Sequence, residues 1–422
     1  MNGPSSANRP LAAYVHIPFC VSKCWYCDFN SYAGLEPIFD DYVHALITEI
    51  ERTASLFPPY EGGTEGGSDL EGTPAPPGGP SGASGPLDSV YFGGGTPTVL
   101  TARQLADILD TIRRTLRIAP DCEVTVEANP GTVDDAKLSA LREAGFNRLS
   151  LGVQSFDDEF LQSIGRAHTS AQALDAYAAA RKAGFENVGI DLMFALPGQT
   201  VEHWRETLDT AIELNPEHVS LYELSIEEGT RFAELCADGE ITLVDEDTRI
   251  EMYELAETML GRGALLLGRD LQSRPKGYEH YEVSNFALPG FRSRHNTTYW
   301  LNQPYYGFGA GATSYINGTR ARRVAHARDY IAAVTSGSDA IESSETLGPR
   351  PRLGETIVLG LRMLEGVDLA RVRSETGFDP LAEYAPQIDR LTHRGLIEIT
   401  DTRLRVTHEG LLLLNDVAGE FV

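Results

Sequence analysis

The sequence predicts an α/β protein: a partial (β/α)6-type barrel followed by a small winged-helix-like domain. Short runs of β-branched residues alternate with amphipathic helical patterns over the first three hundred residues. This alternation builds right-handed βαβ units on a parallel sheet. About six such units are present, enough for a barrel that does not close completely. Near residue 350 the alternation of strands and helices gives way to helices followed by a short hairpin, which predicts the second domain.

The predicted elements follow one another in the order that such a barrel requires. Strands are predicted at 12–19, 89–93, 123–128, 148–154, 188–194 and 219–224, with a candidate seventh strand at 281–285. Helices are predicted between them at 102–117, 134–144, 170–184 and 201–214. Sixteen of the thirty residues in 58–87 are Gly or Pro. That segment buries too little apolar surface to offset its ordering entropy, so we expect a disordered insertion there. A second loop is expected at 261–277.

Four segments are therefore predicted along the chain: a tail 1–11, the barrel 12–300, a connecting segment 301–349 and a C-terminal domain 350–422. The last segment has helical patterns at 353–364 and 380–394, a hairpin at 396–400 and 404–407, and a final helix from about 409. It contains nine Arg, no Lys and twelve Asp plus Glu, and its net charge is therefore negative. DNA binding is therefore not expected, and we expect the domain to pack against or cover the site.

Charge and cysteine usage narrow the function classes. The net charge is −26, from 35 basic and 61 acidic residues, and no basic stripe accompanies it, so no nucleic-acid partner is expected. The chain has five cysteines, three of them clustered, which favours a reducing compartment over a disulfide framework. The N-terminal stretch lacks the pattern of a secretory signal. We expect a cytoplasmic location, which is compatible with a transient visit to a membrane-bound partner.

The first predicted strand is followed by three cysteines within eight residues, Cys20, Cys24 and Cys27. Three thiolates at this spacing can hold three irons of a cubane cluster and leave the fourth iron open to an exchangeable ligand, since a structural cluster takes four cysteines. The alternative is a zinc site, for which only Asp28 or His16 lies close enough in sequence to complete the ligand set. Two further cysteines, at 122 and 236, are predicted to be core thiols.

Polar and glycine-rich features recur where the predicted strands end. In isolation each feature is explained equally well by a turn or a helix cap. Because the carboxyl ends of parallel strands share one rim of a barrel, their joint placement predicts a ligand site there. The features are the Gly-Gly-Gly-Thr-Pro turn at 93–97, Glu127, the stretch 152–156, the stretch 165–168, Asp191 and the stretch 196–200.

The Cys-x3-Cys-x2-Cys spacing matches the cluster loop of the radical-SAM enzymes. Nearly the whole chain resembles the family of oxygen-independent coproporphyrinogen III oxidase, and more closely its haem-chaperone branch. The resemblance implies that Cys20, Cys24 and Cys27 hold a [4Fe-4S] cluster whose fourth iron takes S-adenosylmethionine (SAM). SAM offers an ammonium group to an acidic residue, a carboxylate to an arginine or backbone amides, and ribose hydroxyls to Gln and Asp. The implied SAM-contacting positions are Tyr14, Gly94, Gly95, Thr96, Glu127, Gln154, Arg166 and Asp191.

Two departures separate this chain from the oxidase. The oxidase has a fourth cysteine two residues after the third, where this chain has Phe29, and it has a longer N-terminal extension. The segment His295-Asn-Thr-Thr-Tyr299-Trp300 matches the His-Asn-x-x-Tyr-Trp motif that is linked to haem in the chaperone branch. A neutral His295 imidazole can be an axial iron ligand, and Tyr299 and Trp300 can lie on the porphyrin face.

The structural alternative for this motif is that Tyr299 and Trp300 are core anchors and His295 is a hydrogen-bonded loop residue. His16 and His280 also stay open as haem ligands. Three functions follow as hypotheses: a haem chaperone that delivers haem to an acceptor haem protein, a coproporphyrinogen III oxidase, or another radical-SAM enzyme. Each requires an electron donor if the cluster is to be reduced. Whether the chain is an enzyme, and whether it is a monomer or a dimer, stay open.

Overall fold

A computed structural model describes residues 12–56, 86–262 and 277–422. One sheet of twelve strands organises the larger part of the described chain. In chain order its strands β1–β12 are Ala12–Ile17, Leu87–Gly94, Ile118–Ala128, Arg148–Gln154, Asn187–Phe194, His218–Glu223, Glu279–Glu282, Asn285–Ala287, Tyr305–Phe308, Thr313–Ile316, Thr319–Arg323 and Ile341–Thr346. The helices α1–α10 are Phe39–Leu56, Ala102–Leu116, Asp135–Glu143, Asp158–Ser163, Ser170–Lys182, Val201–Leu214, Arg231–Ala237, Glu246–Arg262, Arg294–Trp300 and Ala327–Thr335.

The centre of the sheet is parallel, as the alternating pattern predicts. Its strand order is β12-β11-β10-β9-β1-β2-β3-β4-β5-β6-β8-β7. The seven neighbours from β9 to β6 are parallel, and the strands beyond them on both sides are antiparallel. The predicted α/β fold with a parallel sheet is therefore confirmed. All six predicted barrel strands are present, although β3 begins at Ile118 rather than at residue 123.

Two predictions about elements differ from the structure. The candidate strand 281–285 is instead a hairpin of β7 and β8, because Val283 and Ser284 reverse the chain between them. The segment 301–349, predicted as a connection, contributes β9–β12 and α10, and β9 lies parallel to β1. These strands have four to six residues, too few for a clear periodic signal. The insertion predicted at 58–87 lies outside the described residues except for its last two, and Leu87 opens β2. Of the loop expected at 261–277, the first two residues belong to helix α8, which continues to Arg262, and residue 277 is also described. The structure does not describe the rest of that loop or the tail 1–11.

The two faces of the parallel sheet differ in polarity. Alternate residues such as Val15, Phe92 and Leu151 are buried in an apolar core shared with the surrounding helices. The residues between them point to the opposite face, because successive side chains of a strand alternate. On that inner face the parallel register places Tyr14 opposite Tyr91, and other polar side chains lie further along the sheet. The interior of the partial barrel therefore carries polar side chains, whereas a barrel interior that only stabilises the fold is filled with apolar ones.

The C-terminal part forms a small domain with its own apolar core. Strands β13–β15, Val367–Asp368, Ile397–Ile399 and Arg403–Val406, make an antiparallel sheet in the order β13-β15-β14. Its helices α11–α16 are Pro349–Gly360, Leu369–Thr376, Pro380–Glu383, Ala385–His393, His408–Leu412 and Leu414–Gly419. The helix predicted at 380–394 is divided at Tyr384, because Pro386 lacks an amide hydrogen and favours a new first turn. None of the helices in the described ranges is long and apolar enough to cross a membrane.

Candidate cluster and cofactor site

The cysteine loop follows β1 and is tied to its surroundings by backbone hydrogen bonds. The amide of Cys20 donates to the Tyr32 carbonyl at 2.9 Å. In the middle of the loop, the Trp25 amide donates to the Ile164 carbonyl at 3.2 Å, and the Trp25 carbonyl accepts from Phe232 at 2.9 Å. The three thiols are therefore presented by a loop of fixed path at the carboxyl end of the sheet.

Each of the three thiol sulfurs has a polar partner. The contacts are Thr96 Oγ1 to Cys20 Sγ at 3.6 Å, Arg166 Nη1 to Cys24 Sγ at 3.3 Å and Ser31 Oγ with Cys27 Sγ at 3.9 Å. Burial raises the pKa of the Cys20 and Cys27 thiols, and the hydroxyl partners oppose that shift. Donors aimed at sulfur suit iron-bound thiolates and tune a cluster's potential. Within the described ranges, no three His, Cys, Asp or Glu side chains are close enough to share one metal ion.

The glycine turn after β2 packs directly on the start of this loop. Gly94 has φ +111°, and a Cβ there would lie 2.4 Å from the His16 ring. A Cβ on Gly95 would lie 2.6 Å from the Phe19 carbonyl oxygen. The Thr96 amide donates to that same oxygen at 2.7 Å. Only glycine at 94 and 95 allows the two segments to approach this closely.

Two buried acidic side chains lie on the inner face, Glu127 next to this turn and Asp191 three strands away on β5, and both interact electrostatically with the buried Arg148. Burial raises the pKa of the Glu127 carboxyl to about 7, even though the Tyr91 hydroxyl donates to it at 2.6 Å and the Gly94 amide at 3.3 Å. Burial also raises the pKa of Asp191, which accepts a hydrogen bond from the Ser150 hydroxyl at 3.3 Å. Within the described part of the chain, neither carboxylate has a salt-bridge partner. Both are suited to a cationic or hydroxyl-bearing ligand.

Gln154 and Arg166 each add a buried polar atom that has no hydrogen-bond partner among the described residues. Gln154 has φ +68° at the end of β4, and its buried Oε1 makes no hydrogen bond among the described residues. The Arg166 Nη2 donates to the Gly152 carbonyl at 2.5 Å, whereas its buried Nε has no partner there. Buried polar atoms are rarely left unpaired. Together with the glycine turn and the two carboxylates, these atoms fit a ligand that carries an ammonium, a carboxylate and hydroxyl groups.

Tyr14 lies deeper in the barrel than the other predicted SAM-contacting residues. Its hydroxyl donates to His16 Nδ1 at 3.1 Å, and His16 Nε2 donates to the Asn30 carbonyl at 2.9 Å. Burial lowers the pKa of His16, so the ring is a neutral tautomer. The Tyr14 ring stacks on Tyr91 with centroids 6.2 Å apart. Both nitrogens of His16 are therefore engaged inside the protein.

His295 and Tyr299 lie together inside the barrel, not at its rim. His295 is 1% exposed; its Nδ1 contacts Ser89 Oγ at 3.1 Å and its Nε2 contacts the Tyr299 hydroxyl at 2.8 Å. Burial lowers the pKa of His295 to about 3. The Glu123 carboxylate accepts the His295 amide hydrogen at 3.2 Å, which holds the first turn of α9 in place. In this conformation the imidazole has no free nitrogen.

Trp300 points away from this pair. The Arg362 guanidinium of the C-terminal domain stacks over its ring at 4.4 Å. The third histidine considered above, His280, also has both nitrogens engaged, with the Val283 carbonyl at 3.3 Å and Glu257 at 3.1 Å. The sequence motif is thus divided between the barrel interior and the junction of the two domains.

Sequence reasoning missed three side chains of this region. Tyr91 bonds Glu127 and stacks on His295 with centroids 4.9 Å apart. Arg148 is 2% exposed on the inner face, and its Nε has no hydrogen-bond partner among the described residues. Ser31 lies beneath the cysteine loop. A charged residue inside an apolar strand pattern was a detectable signal for Arg148, whereas nothing in the sequence distinguishes Ser31.

The fold and this site define a protein of the radical-SAM class. The family model described as Radical SAM superfamily matches residues 82–211, and the one described as HemN C-terminal domain matches residues 347–413. In overall fold the chain is similar to the solved structure of coproporphyrinogen III oxidase (HemN) from Escherichia coli. That match has a TM-score of 0.78 and 24% identity, and it covers 98% of this chain and 90% of that one.

Curated relatives make the assignment more specific. The chain is 36% identical to "Heme chaperone HemW" of Bacillus subtilis, over 97% of this chain and 99% of that protein. It is 32% identical to the Escherichia coli protein of the same name, over 98% of both. It is also 32% identical to mouse "Radical S-adenosyl methionine domain-containing protein 1, mitochondrial", over 98% of this chain and 88% of the relative. The chain belongs to the Heme chaperone HemW family.

Proposed function

We propose that this protein is a haem chaperone that binds haem and passes it to an acceptor haem protein. The observation that carries the proposal is the similarity to proteins of that name, at 31–36% identity over nearly the full length of both chains. The predicted location is the cytoplasm, on the basis of cysteine usage. The identity of the acceptor protein and the oligomeric state are matters for experiment.

Within this proposal, Cys20, Cys24 and Cys27 hold three irons of a [4Fe-4S] cluster, and SAM occupies the fourth as an exchangeable ligand. The contacts of the three thiols with Thr96, Arg166 and Ser31 support thiolate ligation. When bound and reduced, such a cluster would supply an electron for cleavage of the sulfonium, and that cleavage would need an electron donor as a partner.

The chain's own residues bind and orient the proposed SAM molecule. Glu127 and Asp191 offer carboxylates that have no salt bridge among the described residues, and Gln154 and Arg166 each offer a buried polar atom without a hydrogen bond there. The glycine turn permits close approach of the ligand's amino-acid end. Tyr14 and Thr96 complete the set, Thr96 through its contact with the first cysteine.

For haem, the proposal names His295, Tyr299 and Trp300 as candidate contacts. Iron ligation by His295 requires one of its two hydrogen bonds to open, since both nitrogens are engaged. The bond to Tyr299 is within the same helix, so rotation of the tyrosine alone would release Nε2. A neutral imidazole, which burial favours here, is the form that binds iron.

The competing function is coproporphyrinogen III oxidase activity. Phe29 stands where that enzyme has its fourth cysteine, which argues against it. Anaerobic reconstitution of the full chain, followed by haem titration and a coproporphyrinogen III assay on the same sample, separates the two functions. We expect stoichiometric haem binding and no protoporphyrinogen. Sustained turnover of coproporphyrinogen III, or no haem binding at all, would refute the chaperone proposal.

A further inference from the structure

A cleft of about 590 Å³ lies between the barrel and the C-terminal domain. Phe194 and Tyr222, at the carboxyl ends of β5 and β6, line its barrel side, and the segment 411–416 lines the other. Because parallel strands end at the same edge of a sheet, the cleft opens on the edge that carries the cysteine loop. Its volume lies within the range of small-molecule sites, about 300–1,000 Å³.

One residue of the cleft lining, Tyr222, is on the same sheet face as the proposed SAM site. Tyr222 lies two residues beyond Ser220 on β6, and Ser220 is directly opposite Asp191 in the strand register. Tyr222 and Ser220 therefore project to the same face of the sheet. Phe194, Leu221 and Glu223, which also line the cleft, are offset by one residue and project to the opposite face.

Arg362 brings a positively charged group with free donors to this cleft. Its guanidinium stacks over the Trp300 ring and has Glu282 as its nearest acid, at 3.9 Å. Among the described residues it makes no side-chain hydrogen bond. Stacking on an aromatic ring fixes the plane of a guanidinium while leaving its edge available to a carboxylate. Trp300 does not line the cleft, but its ring orients the Arg362 side chain, which does.

Arg249 on α8 is a second guanidinium with spare donors. Its Nη1 binds Glu223 at 2.5 Å, and this is the one side-chain hydrogen bond it makes to the described residues. Two other acids line the cleft, Glu246 and Asp416, and both are exposed, so solvent and salt screen them. The cleft therefore offers two arginines to a ligand with carboxylates.

The remaining lining of the cleft is largely apolar. Phe194, Ile250 and Tyr253 contribute from the barrel side, and Leu411–Leu414 contribute from the C-terminal domain. Leu413 is 41% exposed, whereas Leu411 and Leu414 are each 8% exposed and pack in the core of the C-terminal domain. An apolar lining with two arginines matches a flat hydrophobic molecule that carries acidic groups.

We propose that this cleft is the docking site for haem, with the macrocycle against the leucine-rich wall and the propionates on Arg249 and Arg362. This inference rests on the proposed function and adds the place at which haem is held in the conformation described here. In that conformation the His295 nitrogens are engaged with Ser89 and Tyr299, so the cleft contacts and the proposed ligation by His295 contribute to haem binding separately. The C-terminal domain then acts as one wall of the haem site.

Haem titration of the anaerobically reconstituted full chain, followed by absorbance, tests the site. Leu413→Asp, Arg249→Gln and Arg362→Gln should each weaken haem binding on the order of tenfold. Matched controls are Ile399→Asp, at a residue 42% exposed outside the cleft, and Arg103→Gln, at a side chain 89% exposed on α2. Both controls should bind haem like the parent. Thermal melts verify that each variant is folded.

A second probe is haem dimethyl ester, in which the propionates are blocked. The parent should bind it on the order of a hundredfold more weakly than haem, and each single arginine variant should still prefer haem on the order of tenfold through the arginine that it keeps. Haem binding that is unchanged in all three cleft variants would overturn the cleft assignment while leaving the chaperone function standing. Failure of the parent to bind haem would refute the proposed function itself. Variants that bind haem normally but fail to pass it to an acceptor would assign the cleft to a protein partner instead.

Discussion

The protonation state of the Glu127 carboxyl predicts that the affinity for SAM depends on pH. The pKa of its carboxyl is about 7 because the group is buried. Below pH 7 the carboxyl is mostly neutral, and only the ionised form attracts the ammonium of SAM. The affinity for SAM should therefore rise with pH as Glu127 loses its proton.

The size of the effect follows from the ionised fraction. With a pKa of about 7, roughly a tenth of the carboxyl is ionised at pH 6 and about half at pH 7. The association constant for SAM should therefore increase ~5-fold over this interval. Above pH 7 the increase should level off, because an α-amino group loses its proton near about 7.7–8.0.

Isothermal titration of SAM into cluster-loaded protein between pH 6 and 7.5 measures this slope. The Glu127→Gln variant keeps the shape of the side chain but cannot ionise, so its affinity should be lower and independent of pH over the same interval. A parent protein whose affinity is flat from pH 6 to 7, or a Glu127→Gln variant that keeps the slope of the parent, would refute the assigned role of Glu127.

Three further predictions concern the turn, the cluster and haem. Gly94→Ala should lower the free energy of unfolding by about 3 kcal/mol or more, because its Cβ would meet the His16 ring at φ +111°. The control Gly198→Ala, with φ +76° and open space around the Cβ, should lower it by only about 1–2 kcal/mol. Equal losses of the two variants in urea denaturation would contradict this prediction. Cys24→Ala should lose the cluster iron while Cys236→Ala keeps it, and full iron content in the first would remove the metal assignment. His295→Ala should weaken haem binding and leave the cluster spectrum intact; an unchanged haem spectrum would show that another residue ligates the iron.

The parallel core of the fold was predictable because its strands are short buried runs separated by amphipathic helices. The strand 148–154 and the helix 201–214 agree residue for residue with the prediction. The strands of 301–349 were missed, since β9 has only four residues and depends on β1 for its hydrogen bonds. Pairing with a distant strand leaves no local signal.

The residues of the rim were predictable for a similar reason. Parallel strands bring their carboxyl ends together, so Glu127 and Asp191 could be assigned to one site without knowledge of their distance in space. The position of His295 could not be predicted in this way. Its burial depends on Ser89 and on Glu123, which holds α9 against the sheet, and both contacts join residues far apart in the sequence.

The central claim is that three cysteines hold a cluster with one iron left for SAM. Electron paramagnetic resonance of the reduced, anaerobically reconstituted protein, recorded with and without SAM alongside metal analysis, tests it most directly. The account predicts about four irons per chain and a cluster signal that changes when SAM is added. Zinc in place of iron, or a cluster signal that is indifferent to SAM, would contradict it.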